Sequence, residues 1–147
     1  MVHIAEQRTA VLRESVPMAA LTEFFGRAFT AVAAETEAQN VQLVGPPFAL
    51  YRGVPGQTID LETGFPIAGS LAGNGNVVTS TLPEADAFEA LHTGPYDTLN
   101  RTYGALQEQI KAAGRTPLDT MWEYYLNGPS SEVDPLKWQT RIVWPVA

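Results

Sequence analysis

The stretch TMWEYYLNGP, residues 120–129, sets one acid, Glu123, among Trp122, Tyr124 and Tyr125. It reads as a strand followed by a turn. Side chains alternate along a strand, so Glu123 and Tyr125 share one face and Trp122 and Tyr124 the other. A carboxylate removed from water is costly unless it is hydrogen-bonded or neutralised. Tyrosine hydroxyls are able to supply such bonds. An acid ringed by Tyr and Trp suits a lipophilic cation, through charge pairing and cation–π contact. The same set would serve acid–base chemistry if burial raised the pKa of the acid. If that face of the sheet is solvated, Glu123 simply points to water.

Two further stretches carry aromatics at strand spacing. In PFALYRG, Phe48 and Leu50 share one face, Ala49 and Tyr51 the other. In KWQTRIVWPV, alternation places Trp138, Thr140, Ile142 and Trp144 together. Other chemistries find little support. The chain has no cysteine, which removes disulfides, thiolate catalysis and thiolate metal sites. Its two histidines, His3 and His92, have no ligand spacing and read as surface or strand-edge residues, so no metal is expected. There is no G-x-S-x-G, and the Gly-rich AGSLAGNGN (68–76) has neither a G-x-G-x-x-G nor a lysine after its glycines. It reads as a linker, and no cofactor is expected.

The elements that position these residues come as an internal repeat. A strand over about 2–13 is followed by Pro17 and a helix whose face is Leu21, Phe25, Ala28 and Val32. Two strand candidates, GPPFALYRG and TIDLETGFPI, complete the first unit. The second unit has DAFEALHTG, then a helix with Asp97 as N-cap, Leu99, Tyr103, Leu106 and Ile110 on its face and Gly114 just past its end. TMWEYYLNG and KWQTRIVWPV follow.

An offset of 78 pairs Pro17 with Pro95, Leu21 with Leu99, Phe25 with Tyr103, Gly26 with Gly104, Ala28 with Leu106 and Val32 with Ile110. A mid-helix glycine is unfavourable by roughly 1 kcal/mol against alanine, so its recurrence suggests close packing in both units. The reading is an α+β fold of duplicated βαββ units with pseudo-two-fold symmetry. Repeat 1 spans about 2–67, the linker 68–76 and repeat 2 about 77–146. The units join edge to edge into an antiparallel sheet with both helices on one face and a cleft between the halves. Aligning Tyr51 with Tyr125 sets Ala49 opposite Glu123. The first copy manages without the acid, so a ligand explains Glu123 better than the fold does.

The 147 residues fit one domain, 45% hydrophobic and 17% charged, with a net charge of -7. That charge disfavours nucleic acid as a partner, since phosphate binding needs clustered Lys and Arg. No apolar run reaches the length of a membrane span, and the charged N-terminus does not read as a signal peptide. A cytoplasmic protein is expected.

The chain resembles the GyrI-like small-molecule-binding domain, also found as the effector domain of multidrug-sensing MerR-type and AraC-type regulators. The likeness runs from about residue 3 to 146. It rests on H-T-G-P-Y (92–96), W-E-Y-Y-L-N-G-P (122–129) and W-Q-T-R-I-V-W-P-V (138–146). The resemblance implies an aromatic cleft between two repeats, with the acid of the W-E-x-Y strand, here Glu123, engaging the ligand. It implies Tyr96 of the G-P-Y motif, Tyr51 and Trp138 as walls, Trp144 as a further wall, and Tyr125 as a support for Glu123. The regulators' helix-turn-helix region has no counterpart in this sequence. Three functions follow as expectations. The first is binding of aromatic, often cationic, small molecules. The second is hydrolysis of cyclopropane-bearing toxins, with Glu123 activating water and Tyr96 assisting. The third is interaction with DNA gyrase, as in some relatives.

Overall fold

The computed structural model describes residues 1–53, 57–72, 75–127 and 132–147, without the Asp97 side chain. Its strands are β1 (Val2–Ile4), β2 (Gln7–Pro17), β3 (Gln42–Leu43), β4 (Phe48–Arg52), β5 (Thr58–Ala68), β6 (Val77–Leu82), β7 (Ala85–Thr93), β8 (Thr120–Tyr125) and β9 (Gln139–Pro145). Helix α1 spans Leu21–Ala38 and α2 spans Leu99–Ala112. Each helix follows a short 3-10 turn, Met18–Ala20 or Tyr96–Thr98, so Pro17 and Pro95 play the same part. The fixed φ of proline suits the chain to enter a helix there.

All pairings are antiparallel, in the order β1-β7-β9-β8-β4-β5-β2-β6, with β3 alongside the end of β5. The order is a palindrome about the β8–β4 seam. β4 matches β8, β5 matches β9, β2 matches β7 and β6 matches β1. The βαββ reading therefore gains a leading strand in each unit. The sequence reading placed no strand at β6, whose VVTSTL lacks strict alternation. Of the linker, residues 73 and 74 lie outside the described residues, as do 128–131 of the turn after β8.

Each leading strand pairs with the other unit: β1 with β7, and β6 with β2. Only Ala5 and Glu6 join β1 to β2, and only Pro83 and Glu84 join β6 to β7. Each residue spans at most about 3.6 Å, so such links force the sheet to curl until its edges approach. The face turned away from the helices then encloses a core of Val11, Phe48, Leu50, Leu82, Ala87, Trp122 and Val143. Gly64 permits this: a Cβ there would lie 1.8 Å from the Ala10 carbonyl oxygen.

The helix face holds two more cores. Phe24, Ala28 and Val32 of α1 pack with Leu12, Ile59, Leu61 and Ile67. Leu106 and Ile110 of α2 pack with Phe88, Ile142 and Val146. The buried stripe of α1 is thus Phe24, Ala28, Val32 and Thr36. Leu21 and Phe25, expected on it, are only partly buried at its margin.

Asp97 does not cap α2 from the N-cap position, which Thr98 occupies without a side-chain cap bond; the Asp97 side chain is outside the described residues. Gly114 does follow the helix end, at φ +72. The expectation of close packing at Gly26 and Gly104 is overturned, because a Cβ at either would meet nothing within 4 Å. Both point away from the sheet that does the packing. No helix among the described residues is long and apolar enough to cross a membrane.

Candidate functional site

The β4–β8 seam pairs Ala49 with Glu123, Phe48 with Tyr124 and Leu50 with Trp122. An offset of 74 carries the second pair onto the third and the first onto itself. Glu123 therefore lies on the pseudo-two-fold axis, facing Ala49. Paired residues of an antiparallel sheet share a face. Thr63, Ala49, Glu123 and Ile142 accordingly form one row across the helix face, and Leu61, Tyr51 and Met121 the next on one side. α1 rests mainly on β2 and β5, and α2 on β7. The seam strands between them form a floor, with Glu123 at its centre.

Glu123 is only 4% exposed. Three tyrosines donate to it. The Tyr125 hydroxyl lies 2.8 Å from Oε1 and the Tyr51 hydroxyl 3.4 Å from the same oxygen, while Tyr103 bonds Oε2. The Tyr51 and Tyr125 hydroxyls are 3.2 Å apart. Tyr51 and Tyr125 are repeat partners, reaching the axis from β4 and β8. Tyr103 descends from α2, where its partner in α1 is Phe25. Burial raises the Glu123 pKa, and the bonds from Tyr103, Tyr125 and Tyr51 oppose that rise. Burial, with the nearby Glu123 charge adding to it, also raises the pKa of Tyr51 and Tyr103. The tyrosines thus remain neutral donors at physiological pH.

An aromatic wall runs on from this centre. Tyr125 meets Phe25 at 6.2 Å, Phe29 at 6.3 Å and Tyr96 at 6.1 Å between ring centroids. Tyr96 lies 5.0 Å from Trp138, and Phe29 continues to Phe65 at 5.8 Å. Rings at such distances in tilted and edge-on orientations attract one another through their quadrupoles. Tyr96 keeps 38% of its surface exposed, at the rim.

The structure thus gathers Glu123, Tyr51 and Tyr125 at one point and links Tyr96 and Trp138 to them through the Tyr125 ring. Trp138 precedes β9 rather than lying in it, and its Nε1–H donates to the Glu132 carbonyl at 2.8 Å. Trp144 stands behind Tyr103, 6.2 Å away, and donates to the Leu118 carbonyl. Its contact with the acid is therefore indirect.

Sequence reasoning missed Tyr103, Phe25 and Phe29. The signal for Tyr103 was the Phe25/Tyr103 repeat pair, which places one hydroxyl on the second helix alone. His92 also departs from expectation. It is 6% exposed, not a surface residue, because β7 lies inside the sheet under α2. His3 is exposed on the edge strand β1.

A model of the family described as "GyrI-like small molecule binding domain" matches residues 1–147. No functionally curated protein matches the chain. Among solved structures, the EcmrR C-terminal domain superposes with a TM-score of 0.87 at 23% identity, covering 99% of this chain and 94% of that one. In a DNA complex of EcmrR the match has a TM-score of 0.85 at 22% identity and covers 99% of this chain. It covers 55% of that one, so this chain spans about half its length. SAV2435 bound to tetraphenylphosphonium matches with a TM-score of 0.69 at 14% identity, over 99% and 92% of the two chains. A hydrolase encoded by lin2189 from Listeria innocua matches at 0.66 and 12%, over 99% and 90%. At these identities the likenesses establish the shared fold.

Proposed function

Since the chain belongs to the GyrI-like small molecule binding domain family, we propose that its cleft binds lipophilic aromatic cations, with Glu123 as their buried counter-charge. One observation carries this reading. A carboxylate 4% exposed lies between Tyr51, Tyr103 and Tyr125, and the hydrogen-bond partners described for it are all tyrosines. A buried charge without a cation beside it costs several kcal/mol in general. A ligand that brings the positive charge offsets that cost, and the surrounding rings add cation–π attraction.

The tyrosine donors refine the ligand class. A carboxylate accepts about four hydrogen bonds, and tyrosines already occupy both oxygens. A cation that needs no acceptor, such as a quaternary phosphonium, ammonium or alkylated heteroaromatic, fits better than a primary amine. Tetraphenylphosphonium, the ligand of the SAV2435 structure, has that chemistry. Hydrolysis by the same acid has less support, because both carboxylate oxygens already accept from tyrosine hydroxyls, which leaves fewer lone pairs to hold a water.

Tryptophan fluorescence titration with tetraphenylphosphonium, beside neutral triphenylphosphine oxide, tests the reading. At an effective dielectric of about 20, opposite charges some 5 Å apart attract by about 3 kcal/mol. Glu123→Gln should therefore weaken the cation by roughly 100-fold and leave the neutral compound nearly unchanged. Equal affinity of the wild type and the variant for the cation would sink the proposal.

A further inference from the structure

His92 is a buried, titratable side chain that the binding reading does not use. Its ring lies among the second unit's elements. Nδ1 is 2.6 Å from the Thr102 hydroxyl on α2, and Nε2 is 3.1 Å from both the Pro95 carbonyl and the Thr98 hydroxyl. Thr98 in turn donates to the Pro95 carbonyl at 2.8 Å. A carbonyl only accepts, so Nε2 carries a proton and donates to Pro95, while Nδ1 meets the Thr102 hydroxyl. Gly94, at φ +133, passes close above the ring, where a Cβ would lie 3.7 Å from Nε2. The Gly94 N–H donates to the Trp138 carbonyl at 2.8 Å. One imidazole thus ties β7, the turn that follows it and α2 together, and the next residue of that turn is Tyr96.

The repeat supplies an internal comparison. At the offset of 78, His92 corresponds to Glu14 and Tyr96 to Met18. Glu14 is exposed and pairs with Arg27 of α1 at 2.9 Å. Met18 is 45% exposed and adds no aromatic ring to the cleft. The unit with a wall aromatic after its proline is the unit with the buried imidazole network. The unit without that aromatic has an ordinary surface ion pair in its place.

We propose that His92 is a positioning residue of the binding site: it holds the Gly94–Pro95 turn so that Tyr96 lies against Tyr125 and Trp138 as a wall of the cleft. The proposal rests on the cleft being the ligand site. Its structural part, the placing of Tyr96, is measurable without ligand.

Two measurements test it on the full chain. The first follows the Trp138 indole N–H by NMR without ligand, assigned by its loss in Trp138→Phe. The ring current of Tyr96, whose centroid lies 5.0 Å from that of Trp138, contributes to that resonance. His92→Leu should shift it toward its position in Tyr96→Ala. His92→Gln, whose amide is able to donate to the Pro95 carbonyl, should largely restore it. The second is a double-mutant cycle on tetraphenylphosphonium affinity. His92→Leu and Tyr96→Ala should each weaken binding by roughly fivefold to tenfold, and the double variant should bind no more weakly than Tyr96→Ala alone. Additive losses, or an unmoved indole resonance in His92→Leu, overturn the proposal. If His92→Leu does not fold, Thr98→Val removes the hydroxyl shared by His92 and Pro95. It should give the same pattern with a smaller loss, and additivity there is equally fatal. A wild type that binds no cation, with the indole shift and its rescue still seen, would end the binding reading and leave the positioning role standing.

Discussion

The two units share a backbone plan and differ in what they bring to the seam between them. The first contributes Ala49 to the axis, Phe25 from its helix, Met18 after its proline and the exposed Glu14 on β2. At the same places the second contributes Glu123, Tyr103, Tyr96 and the buried His92. Both units bring aromatic rings, but the acid and two of its three tyrosine donors, Tyr103 and Tyr125, come from the second unit, and only Tyr51 comes from the first. Two facing carboxylates on the axis would repel each other, whereas one acid against one alanine leaves a single buried charge to be matched. The repeat is symmetric in its backbone, and the residues on the seam make it asymmetric.

The largest test of that asymmetry is to remove it. Ala49 is fully buried opposite Glu123, so Ala49→Glu places a second acid within about 5 Å of the first. We expect a loss of about 3–5 kcal/mol in urea unfolding at neutral pH, with much of it recovered by adding Glu123→Ala. A loss below about 1 kcal/mol would mean that the floor tolerates charge from either unit, and the contrast would fail.

A smaller change makes the helices alike. Tyr103→Phe gives α2 the ring that Phe25 gives α1 and strips a donor from Glu123. The loss of a hydrogen bond to a charged group should cost about 1.5–3 kcal/mol where Glu123 is ionised. The pH dependence has a defined sign. Burial raises the Glu123 pKa in the folded state, so the folded protein holds that proton more tightly than the unfolded chain. Its stabilising effect is complete below the unfolded pKa and is lost as pH rises through the folded one. Tyr103→Phe raises the folded pKa further, so the decline in melting temperature should extend to higher pH. Glu123→Gln should abolish this component. An unchanged profile in Tyr103→Phe would show that the hydroxyl does not hold the carboxylate.

The smallest effect should not distinguish the units at all. Gly26→Ala and Gly104→Ala each add a methyl where nothing lies within 4 Å. Each should stabilise by up to about 1 kcal/mol, read by thermal unfolding. Destabilisation at either position would reveal packing that the other unit lacks.

Much of the fold was legible because it rests on short-range rules. Proline before each helix, period-2 alternation in β4 and β8, and the repeated helix pattern gave the two units, the shared face of Glu123 and Tyr125, and the repeat match of Tyr51 with Tyr125, while the pairing of β4 with β8 came from the structure. Helix phase was less secure. Phe24 and Phe25 are adjacent and equally apolar, and only the sheet beneath them decides which is core and which faces the cleft. β6 escaped because an edge strand that pads the other unit has no local partner to fix its pattern.

By itself, the sequence determined a duplicated α+β chain with one acid where its own repeat has alanine. These are properties of spacing and residue type, which survive without coordinates. Tertiary structure decided that the acid sits on the axis of the seam, that Tyr103 reaches it from a helix 20 residues earlier in the chain, and that His92 is buried beneath the turn presenting Tyr96. Those facts depend on which strand pairs with which and on where each helix lies over the sheet. No local pattern encodes distances between groups brought together only when strands pair and a helix packs over them.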